Sequence, residues 1–463
     1  MNSTKAKKLF GTDGIRGEAG KFPLDPVTVR VIGQSLARRL AERSGSHAPR
    51  IIIGRDTRES GPSIERELNA GMSASGAEVQ SAGVITTPGV AFLTRALPAD
   101  AGIVISASHN SFQDNGIKVF DPSGRKLDDE TERLIETDVD AALDRESDVG
   151  IQSNLLDINS RNEQQAVSLQ TRYVKYLTRE VAQDLSLARL TIVVDCANGA
   201  AYEIAPKLFE GLGARLVTIN NHPDGRNINR DCGSLHLDGL RRTVVAERAD
   251  FGVAFDGDAD RALFVDDAGA LVDGDATLWV MAKYMATRGE LRGKTVVATV
   301  MSNIGLEIAL RSQGIALTRT DVGDKYVLDE LLSSGASLGG EQSGHIIFPQ
   351  LSLAGDGLIT TLRLLRAMRE NNQPLSELTD GFHRYPQILV NVRVREKRPF
   401  DEVAAVSRLA SETQEKLGNN GRLLLRYSGT EPLARVMIEG ERQNEIESYA
   451  NALAEAIRIE LGV

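Results

Sequence analysis

The chain has 463 residues, of which 41% are hydrophobic and 25% are charged, and its formal net charge is −10. This length exceeds what one hydrophobic core usually supports and indicates three or four domains, and the composition excludes a disordered or fibrous protein. The acidic balance argues against broad nucleic-acid binding, because that mode needs an excess of Lys and Arg over the acidic residues.

The N-terminus and the cysteines indicate a cytoplasmic protein. Residues 1–8 are basic and lead into a glycine-rich motif without the apolar segment of a signal peptide, and no later run is long enough to span a bilayer. Cys196 and Cys232 are the only cysteines and form no CxxC pair, which is too few for a disulfide framework over several domains. We therefore predict a reducing compartment, no membrane partner, and two cysteines that act as inert small residues.

One order of strand, loop, helix and strand occurs three times along the chain. The apolar residues 51–53 end in a polar loop, and a helix-like stretch then leads to a second apolar segment. The same order returns at 191–219 and again at 295–317. The sequence therefore predicts three degenerate copies of one α/β unit.

The C-terminal part follows a different pattern. Residues 388–394 alternate and predict a strand, residues 401–417 predict a helix, residues 422–426 and 434–439 predict two strands, and a last helix begins near Glu445. This β-α-β-β-α order indicates a separate α+β domain.

Stretches without hydrophobic periodicity suggest where the domains meet. Residues 140–165 and 369–379 are polar and aperiodic, and we place a further boundary after the predicted strand 262–265. The predicted domains are residues 1–155, 156–266, 267–378 and 379–463.

An acidic triplet predicts a cation site. The strand pattern at 251–255 leads into three carboxylates spaced two residues apart: Asp256, Asp258 and Asp260. Magnesium prefers oxygen ligands and keeps positions open for water or phosphate, so the triplet suits phosphoryl chemistry; the alternative is a solvated acidic turn. A calcium-binding EF-hand loop is excluded, because Arg261 stands where its Gly is required and Asp267 where its Glu is required.

A short buried-strand pattern at 101–105 leads into a loop with two candidate nucleophiles, Ser106 and Ser108. A serine hydroxyl is a weak nucleophile without a base or metal nearby, so His109 and Lys118 would be useful partners. The alternative is a polar loop whose hydroxyls cap backbone groups. Spacing alone does not choose between the two serines.

A glycine-flanked segment offers groups for sugar hydroxyls. Glu341, Ser343 and His345 occupy alternate positions, and in an extended segment these side chains would share one face. They suit hydrogen bonding to a sugar, and His345 could move protons near neutral pH. Taken singly, His345 also fits a structural histidine.

The loop at 426–432, between two predicted strands, resembles a phosphate clamp. It offers two guanidinium groups with Arg435 included, two hydroxyls, and backbone amides made accessible by Gly429. The alternative is an ordinary Gly-Pro hairpin with exposed arginines. The glycine-rich residues 11–17 add Arg16 as a weaker candidate.

Taken together, these motifs resemble the α-D-phosphohexomutase family. They occur in one order over essentially the whole chain: GTDGIRG at 11–17, SASHN at 106–110, DGDAD at 256–260, GEQSGH at 340–345 and RYSGTEP at 426–432. The resemblance implies three related α/β domains with mixed sheets plus a C-terminal α+β domain, and clefts that converge on one active site. The four domains would carry, in order, the phosphoserine, metal-binding, sugar-binding and phosphate-binding loops.

The resemblance also implies roles for individual residues. Ser108 would be the phosphoserine, and one Mg²⁺ per active site would be held by the Ser108 phosphate with Asp256, Asp258 and Asp260. Sugar hydroxyls would contact Glu341 and Ser343, and a substrate phosphate would be gripped by Arg426, Ser428, Gly429, Thr430 and Arg435. The matching candidates for proton transfer and charge stabilisation are Lys118, Arg16 and His345, and His109, next to Ser108, is a further catalytic candidate from its position in the sequence.

Residues 224–236 resemble the NIN-x-x-CGS-x-H signature of the phosphoglucosamine mutase branch. That branch implies interconversion of glucosamine 6-phosphate and glucosamine 1-phosphate through a 1,6-bisphosphate, on the route to UDP-N-acetylglucosamine and cell wall. Ser111 and the pair Leu353-Ala354 depart from the branch pattern without removing a predicted ligand. The alternatives are a phosphomannomutase or phosphoglucomutase, a phosphatase, or a non-catalytic phosphosugar-binding protein, and the oligomeric state, a homodimer included, is left open.

Overall fold

The computed structural model describes residues 8–11, 13–44, 48–143, 161–428 and 431–463. The chain divides into two compact units, the first formed by Met1–Thr299 with Arg319–Thr379 and the second by Val300–Thr318 with Asp380–Val463. Among the described helices, none combines the length and apolarity needed to cross a bilayer.

The first unit begins with a six-stranded mixed sheet. Its strands are β1 (Phe10–Gly11), β2 (Gly14–Glu18), β3 (Arg50–Arg55), β4 (Glu78–Val84), β5 (Ala101–Ile105) and β6 (Asp114–Phe120), and its helices are α1 (Pro26–Ser44), α2 (Gly61–Ala74), α3 (Thr87–Ala96) and α4 (Asp129–Leu143). The strand order is β1-β2-β6-β5-β3-β4, with β3 parallel to both β4 and β5 and the other pairs antiparallel. Since α2 and α3 both pack against β5, all five of its residues are buried, and the loop that follows leaves a fixed strand end.

A second mixed sheet follows α5 (Arg161–Tyr176) and a π-helical turn at Leu177–Val181. Its elements are β7 (Thr191–Asp195), α6 (Ile204–Gly211), β8 (Arg215–Ile219), α7 (Asp238–Glu247), β9 (Phe251–Phe255), β10 (Ala262–Val265) and β11 (Leu271–Val272). The order is β11-β10-β9-β7-β8, with β7 parallel to β8 and β9 and the remaining pairs antiparallel. Because β9 and β10 are antiparallel neighbours, the acidic residues between them lie in a hairpin loop.

The third repeat contributes shorter strands. Its elements are α8 (Gly274–Thr287), β12 (Thr295–Thr299), α9 (Ile304–Ser312), β13 (Ala316–Thr320), α10 (Asp324–Ser334), β14 (Gly339–Gly340), β15 (Ile346–Ile347), α11 (Gly357–Asn371) and α12 (Leu375–Leu378). Strand β14 pairs in parallel with β12 and antiparallel with β15. Helix α9 belongs to the second unit, and β13 spans the division.

The second unit is built on an antiparallel sheet in the order β16-β18-β17. Its elements are β16 (Gln387–Arg393), α13 (Ala404–Leu417), β17 (Arg422–Tyr427), β18 (Leu433–Glu439) and α14 (Gln443–Leu461). The buried Glu439 carboxylate accepts the Ile304 N–H at 3.1 Å and pairs with Arg422 Nε at 3.0 Å. This charge caps the N-terminus of α9, where a negative group is favoured.

The structure confirms the predicted fold class. The three repeats appear as β3-α2-β4, β7-α6-β8 and β12-α9-β13, and the C-terminal order of strand, helix, two strands and helix is as predicted. The helix predicted from Asp401 begins instead at Ala404. Residues Phe400–Glu402 form a separate 3₁₀ turn. The extended backbone of Val403, with φ −100° and ψ 94°, separates this turn from the helix.

Candidate active site

Three buried carboxylates lie together in the hairpin loop between β9 and β10. Asp256, Asp258 and Asp260 each offer an oxygen, and these oxygens lie within 4.8 Å of one another. Burial, reinforced by the charges of Asp260 and Asp258, raises the pKa of Asp256 well above its ordinary value. Like charges this close resist joint ionisation unless a cation joins them.

The cluster fits a divalent cation. Asp258 Oδ1 and Asp260 Oδ1 are buried and find no hydrogen-bond partner among the described residues, although buried carboxylate oxygens normally have one. A hard cation such as Mg²⁺ binds carboxylate oxygens and would both supply that partner and offset the repulsion. The donor set therefore matches the predicted metal site in chemistry and in geometry.

The Ser108 hydroxyl reaches this cluster, while the Ser106 hydroxyl is engaged elsewhere. Ser108 Oγ donates to Asp256 Oδ2 at 2.6 Å, and the residue is buried at the end of the loop that β5 carries. Ser106 Oγ donates to Asp56 Oδ2 at 2.7 Å and accepts the Ser108 N–H at 2.9 Å. Of the two candidate nucleophiles, Ser108 is thus the one that faces the carboxylates.

Lys118 brings a positive charge to the acidic triplet. Its Nζ lies 2.9 Å from Asp258 Oδ2, 3.3 Å from Asp260 Oδ2 and 3.4 Å from Asp13 Oδ2. Burial disfavours the charged amine, but these three carboxylates outweigh it and raise the pKa of Lys118 well above its ordinary value. Lys118 is therefore a fixed cation, suited to stabilising negative charge rather than to accepting a proton.

His109 stands beside the Ser108 hydroxyl as a neutral ring. Its Nδ1 lies 3.3 Å from Ser108 Oγ and 3.0 Å from Arg261 Nη1. Burial, together with the charges of Arg261 and Arg16, lowers the pKa of His109. Because a guanidinium only donates, Nδ1 of His109 is the unprotonated nitrogen.

His345 is held by a backbone amide. Its Nε2 accepts the Gly355 N–H at 3.1 Å, and its Nδ1 faces Asp260 Oδ1 at 3.8 Å. A side chain at position 355 would bring a Cβ within 2.5 Å of the imidazole, so the glycine is needed for this contact. Nε2 is therefore the accepting nitrogen, and Nδ1 lies on the side of Asp260 without reaching hydrogen-bond distance.

The segment with Glu341, Ser343 and His345 is a turn rather than an extended strand. The Gly344 N–H donates to the Glu341 carbonyl at 3.0 Å, and Gly344 takes a φ of +90°. The alternation expected from the sequence does not apply, because tight packing of Gly344 on Ala262 forces the chain to reverse there. Glu341 Oε1 accepts the Gly323 N–H at 3.2 Å, and Ser343 Oγ is buried without a partner in the described chain.

Arg16 lies on β2, next to the strand that carries Lys118, and forms an ion pair with Asp13. Asp13 also pairs with Lys126 Nζ at 2.8 Å. Burial alone would raise the pKa of Asp13, but Lys118, Lys126 and Arg16 outweigh it and hold the pKa well below its usual range. Arg16 Nε is buried with no hydrogen-bond partner in the resolved part of the site, which leaves it available to an anionic ligand.

The predicted phosphate clamp lies in the second unit. Arg426 on β17 is directly opposite Arg435 on β18, so the two side chains share one face of the sheet. Ser428 Oγ accepts the Glu431 N–H at 3.3 Å, and Lys397 Nζ donates to the Ser428 carbonyl at 2.6 Å. The predicted contacts Gly429 and Thr430 fall outside the described residues.

Sequence reasoning missed several members of the site. Thr87 Oγ1 donates to Asp258 Oδ2 at 2.6 Å, and no motif includes Thr87. Asp13 lies inside the motif at 11–17 and Arg261 directly follows the motif at 256–260, and their charge next to predicted ligands could have identified them. Lys397 precedes Ser428 by 31 residues, so no local sequence pattern connects the two.

Family models match nearly the whole chain. Those for the phosphoglucomutase/phosphomannomutase family match at residues 7–146 (alpha/beta/alpha domain I), 171–269 (domain II), 273–385 (domain III) and 389–456 (C-terminal domain).

Full-length relatives are similar as well. The chain is 50% identical over 457 residues to the phosphoglucosamine mutase of Solibacter usitatus, with 99% of this chain and 100% of that protein covered. It is 46% identical to the phosphoglucosamine mutase of Desulfovibrio desulfuricans, with 98% of this chain and 100% of that protein covered. A crystal structure of a phosphoglucomutase/phosphomannomutase family protein from Burkholderia thailandensis superposes with a TM-score of 0.77 at 25% identity, covering 98% of this chain and 97% of that one.

Proposed function

The chain belongs to the phosphoglucomutase/phosphomannomutase family, and on this premise we propose that it interconverts glucosamine 6-phosphate and glucosamine 1-phosphate. The full-length relatives at 50% and 46% identity bear the name phosphoglucosamine mutase. The observation that carries the proposal is the 2.6 Å hydrogen bond from Ser108 Oγ to Asp256, within a buried acidic triplet. It joins a nucleophile to a cation site, which is what phosphoryl transfer requires.

The reaction proceeds in two transfers. The C1 hydroxyl of glucosamine 6-phosphate attacks the phosphorus of phosphorylated Ser108, the Ser108 Oγ–P bond breaks, and the proton of the C1 hydroxyl passes to Ser108 Oγ, with His109 as the proposed carrier. The resulting 1,6-bisphosphate reorients in the site, so that the phosphate on O6 faces Ser108. Ser108 Oγ then takes the phosphoryl group from O6, the O6–P bond breaks, the proton of the Ser108 hydroxyl passes to O6, and glucosamine 1-phosphate leaves. Phosphate and protons are conserved over the cycle.

Magnesium is the cofactor that we propose for the acidic triplet. Asp256, Asp258 and Asp260 would hold it together with the Ser108 phosphate. When bound, the ion would neutralise charge on the oxygens of the transferred group. The two buried carboxylate oxygens without a partner support this assignment.

The chain's own cations would share that task. Lys118 is a fixed charge 2.9 Å from Asp258, and Arg16 has an unused buried Nε. Both would stabilise the equatorial oxygens, since such transfer depends mainly on alignment and charge neutralisation. His109, neutral and 3.3 Å from Ser108 Oγ, is the proposed proton carrier at that oxygen. His345, whose Nδ1 lies 3.8 Å from Asp260 Oδ1, would act on that carboxylate electrostatically rather than through a hydrogen bond, and it remains a candidate for proton transfer.

Binding of the sugar phosphate is assigned to the remaining loops. Glu341 and Ser343 would contact sugar hydroxyls, and the unpartnered Ser343 hydroxyl is consistent with that role. The opposed guanidinium groups of Arg426 and Arg435 would grip the phosphate that is not being transferred. Ser428, Gly429 and Thr430 would add hydroxyl and amide donors from the same hairpin. The four domains predicted from the sequence remain a proposal for how these loops are distributed.

A substrate panel tests the proposal. Purified chain would be assayed with Mg²⁺ and a trace of sugar 1,6-bisphosphate on the 6-phosphates of glucosamine, glucose and mannose, with 1-phosphates and inorganic phosphate both measured. We expect the highest kcat/KM for glucosamine 6-phosphate and no release of inorganic phosphate. A preference for glucose or mannose phosphate would reassign the substrate, phosphate release would indicate a phosphatase, and binding without turnover would indicate a non-catalytic protein.

A further inference from the structure

The carbonyl oxygen of Ser108 is fixed by two side chains from distant parts of the chain. Arg58 Nη2 donates to it at 2.9 Å, and Asn229 Nδ2 donates to it at 2.8 Å. Ser108 itself has a φ of 51°, a left-handed conformation that a non-glycine residue adopts only when its surroundings impose it. The hydrogen bonds to its carbonyl are therefore part of what holds the nucleophile in place.

Arg58 is committed entirely to this loop. Its side chain is fully buried and pairs with Asp56 Oδ2 at 2.8 Å, and Asp56 in turn accepts from Ser106. The other guanidinium donors go to main-chain carbonyls of a single loop, those of Ser108, Asn110, Ser111 and Asp114. Such a buried, fully bonded guanidinium acts as a rigid template for the backbone around it.

Asn229 approaches the same loop from the second repeat. Its Nδ2 donates to the carbonyls of Ser108 and Asn110, at 2.8 and 3.0 Å, and its own N–H donates to the Ala197 carbonyl at 2.9 Å. Both N–H groups of the Asn229 amide are thereby used, so neither remains for a ligand. Asn229 connects the Ser108 loop to the sheet whose hairpin carries the acidic triplet.

The loop that carries the acidic triplet also contacts the Ser108 carbonyl. A Cβ on Gly257 would lie 2.4 Å from the Ser108 carbonyl oxygen and 3.0 Å from Asn229 Nδ2, so the glycine backbone abuts both. The Ser108 carbonyl is thus in contact with the Asp-bearing loop on one side and with Asn229 on the other. A shift of the Asn229 contact would change the distance between the Ser108 hydroxyl and the carboxylates.

We propose that Asn229, acting with Arg58, is a positioning residue for phosphoryl transfer, which sets the location of Ser108 relative to the acidic triplet and does not recognise the sugar. This inference rests on the proposed function. It gives the asparagine of the 224–236 signature a role in aligning the nucleophile, and it predicts that loss of the amide lowers kcat while KM is kept. A misplacement of reacting groups by about 1 Å can cost roughly a hundredfold in rate.

Asn229→Gly is the first variant, because Asn229 has a φ of 58° and glycine adopts that conformation without strain. Asn229→Asp is the second, because it keeps the volume and replaces the donating amide with an acceptor. The matched control is Asn227→Ala, two residues earlier, whose side chain bonds only within its own loop, to the His222 carbonyl and the Asp224 N–H. For each protein, kcat, KM, the melting temperature and the single-turnover rate of phosphate loss from Ser108 would be measured.

We expect kcat and the single-turnover rate to fall by about tenfold or more in both Asn229 variants, with KM within about twofold of wild type and Asn227→Ala near wild type. If Asn229→Gly does not fold, the Asn229→Asp result decides. A kcat for either folded Asn229 variant within twofold of the control, or a rise in KM that accounts for the whole loss, would overturn the inference. If the wild-type protein itself turns over none of the sugar phosphates, it is the proposed function that fails, and the two failures are thereby distinguished.

Discussion

Two groups of candidate residues, one in each compact unit, differ in how the fold holds them. In the first unit, Ser108 and Asp256 come from loops separated by 148 residues and meet in a buried network of charges. In the second unit, Arg426 and Arg435 are opposite residues of one hairpin, and the side chain of Arg435 is 28% exposed. The first arrangement fixes positions closely and suits bond making, whereas the second leaves side chains partly exposed and suits contact with a ligand.

The largest effect is expected from removing the nucleophile. Ser108→Ala should lower mutase activity by at least about a thousandfold, because the change removes the oxygen that carries the phosphate between the two transfers. The protein should stay folded, since a loop hydroxyl contributes little to a core. The measurements are the coupled mutase assay and the thermal unfolding midpoint.

Ser106→Ala is the matched control for that change. It removes a buried hydroxyl bonded to Asp56 and to the Ser108 N–H, so stability should fall by about 1–3 kcal/mol. Phosphate should still be found on Ser108. Near-normal turnover by Ser108→Ala, or phosphate carried on Ser106, would contradict the assignment.

A smaller effect is expected from weakening the cation site. Asp258→Asn should raise the magnesium concentration for half-maximal activity by about tenfold or more, because a charged ligand is replaced with a neutral one. Asp266→Asn is the control, since Asp266 is also buried but accepts only the N–H groups of its own turn, at Ala268 and Ala270. Equal magnesium titrations for Asp258→Asn and wild type would show that the triplet does not hold the ion.

Substitutions in the β17–β18 hairpin should change substrate binding rather than the catalytic rate. Arg435→Lys keeps the charge but loses the planar fork, so KM should rise by about tenfold with a smaller change in kcat. Arg442→Lys, an exposed arginine beyond the far end of β18 that pairs with Glu445 at 2.8 Å, should leave both constants unchanged. A loss confined to kcat in the Arg435 variant would remove the distinction between the two regions.

The smallest effect is expected on stability, from a hydrogen bond to Asp356, a buried carboxylate with no proposed role in catalysis. Tyr173 donates its hydroxyl to Asp356 Oδ2 at 2.6 Å, and Asp356 caps α11. Tyr173→Phe should lower the free energy of unfolding by about 1–2 kcal/mol in a urea titration, with kcat kept. Tyr202→Phe, which removes a hydroxyl bond at the surface, should change it by less than about 0.5 kcal/mol. An equal loss of unfolding free energy in the two variants would show that the buried bond to Asp356 stabilises the protein no more than the surface bond does.

The repeated fold could be predicted because its signals are local. Apolar runs such as 51–53 end in polar loops and become buried strands, and alternation at 388–394 becomes a strand of the C-terminal sheet. The turn at 341–344 was missed because it depends on close packing of Gly344 against Ala262, 82 residues away in sequence. Spacing alone suggested an extended segment there.

The site could be predicted from the sequence only in part. Residue types and spacing identified the acidic triplet and two serines as candidates, and the resemblance favoured Ser108, but no residue pattern shows that Thr87 donates to Asp258. The same holds for Arg58, whose guanidinium bonds are all to main-chain carbonyls and to Asp56. Such contacts depend on how separate sheets meet, which sequence periodicity does not record.

The central claim is that Ser108 and the acidic triplet form one phosphoryl-transfer site. Its most direct test is to mix the magnesium-loaded protein with glucosamine 6-[³²P]phosphate, quench during turnover, and locate the label by peptide mapping. We predict ³²P on the peptide that contains Ser108, in amounts approaching one per chain, and none in the Ser108→Ala protein. Formation of labelled glucosamine 1-phosphate while that peptide stays unlabelled would contradict the account.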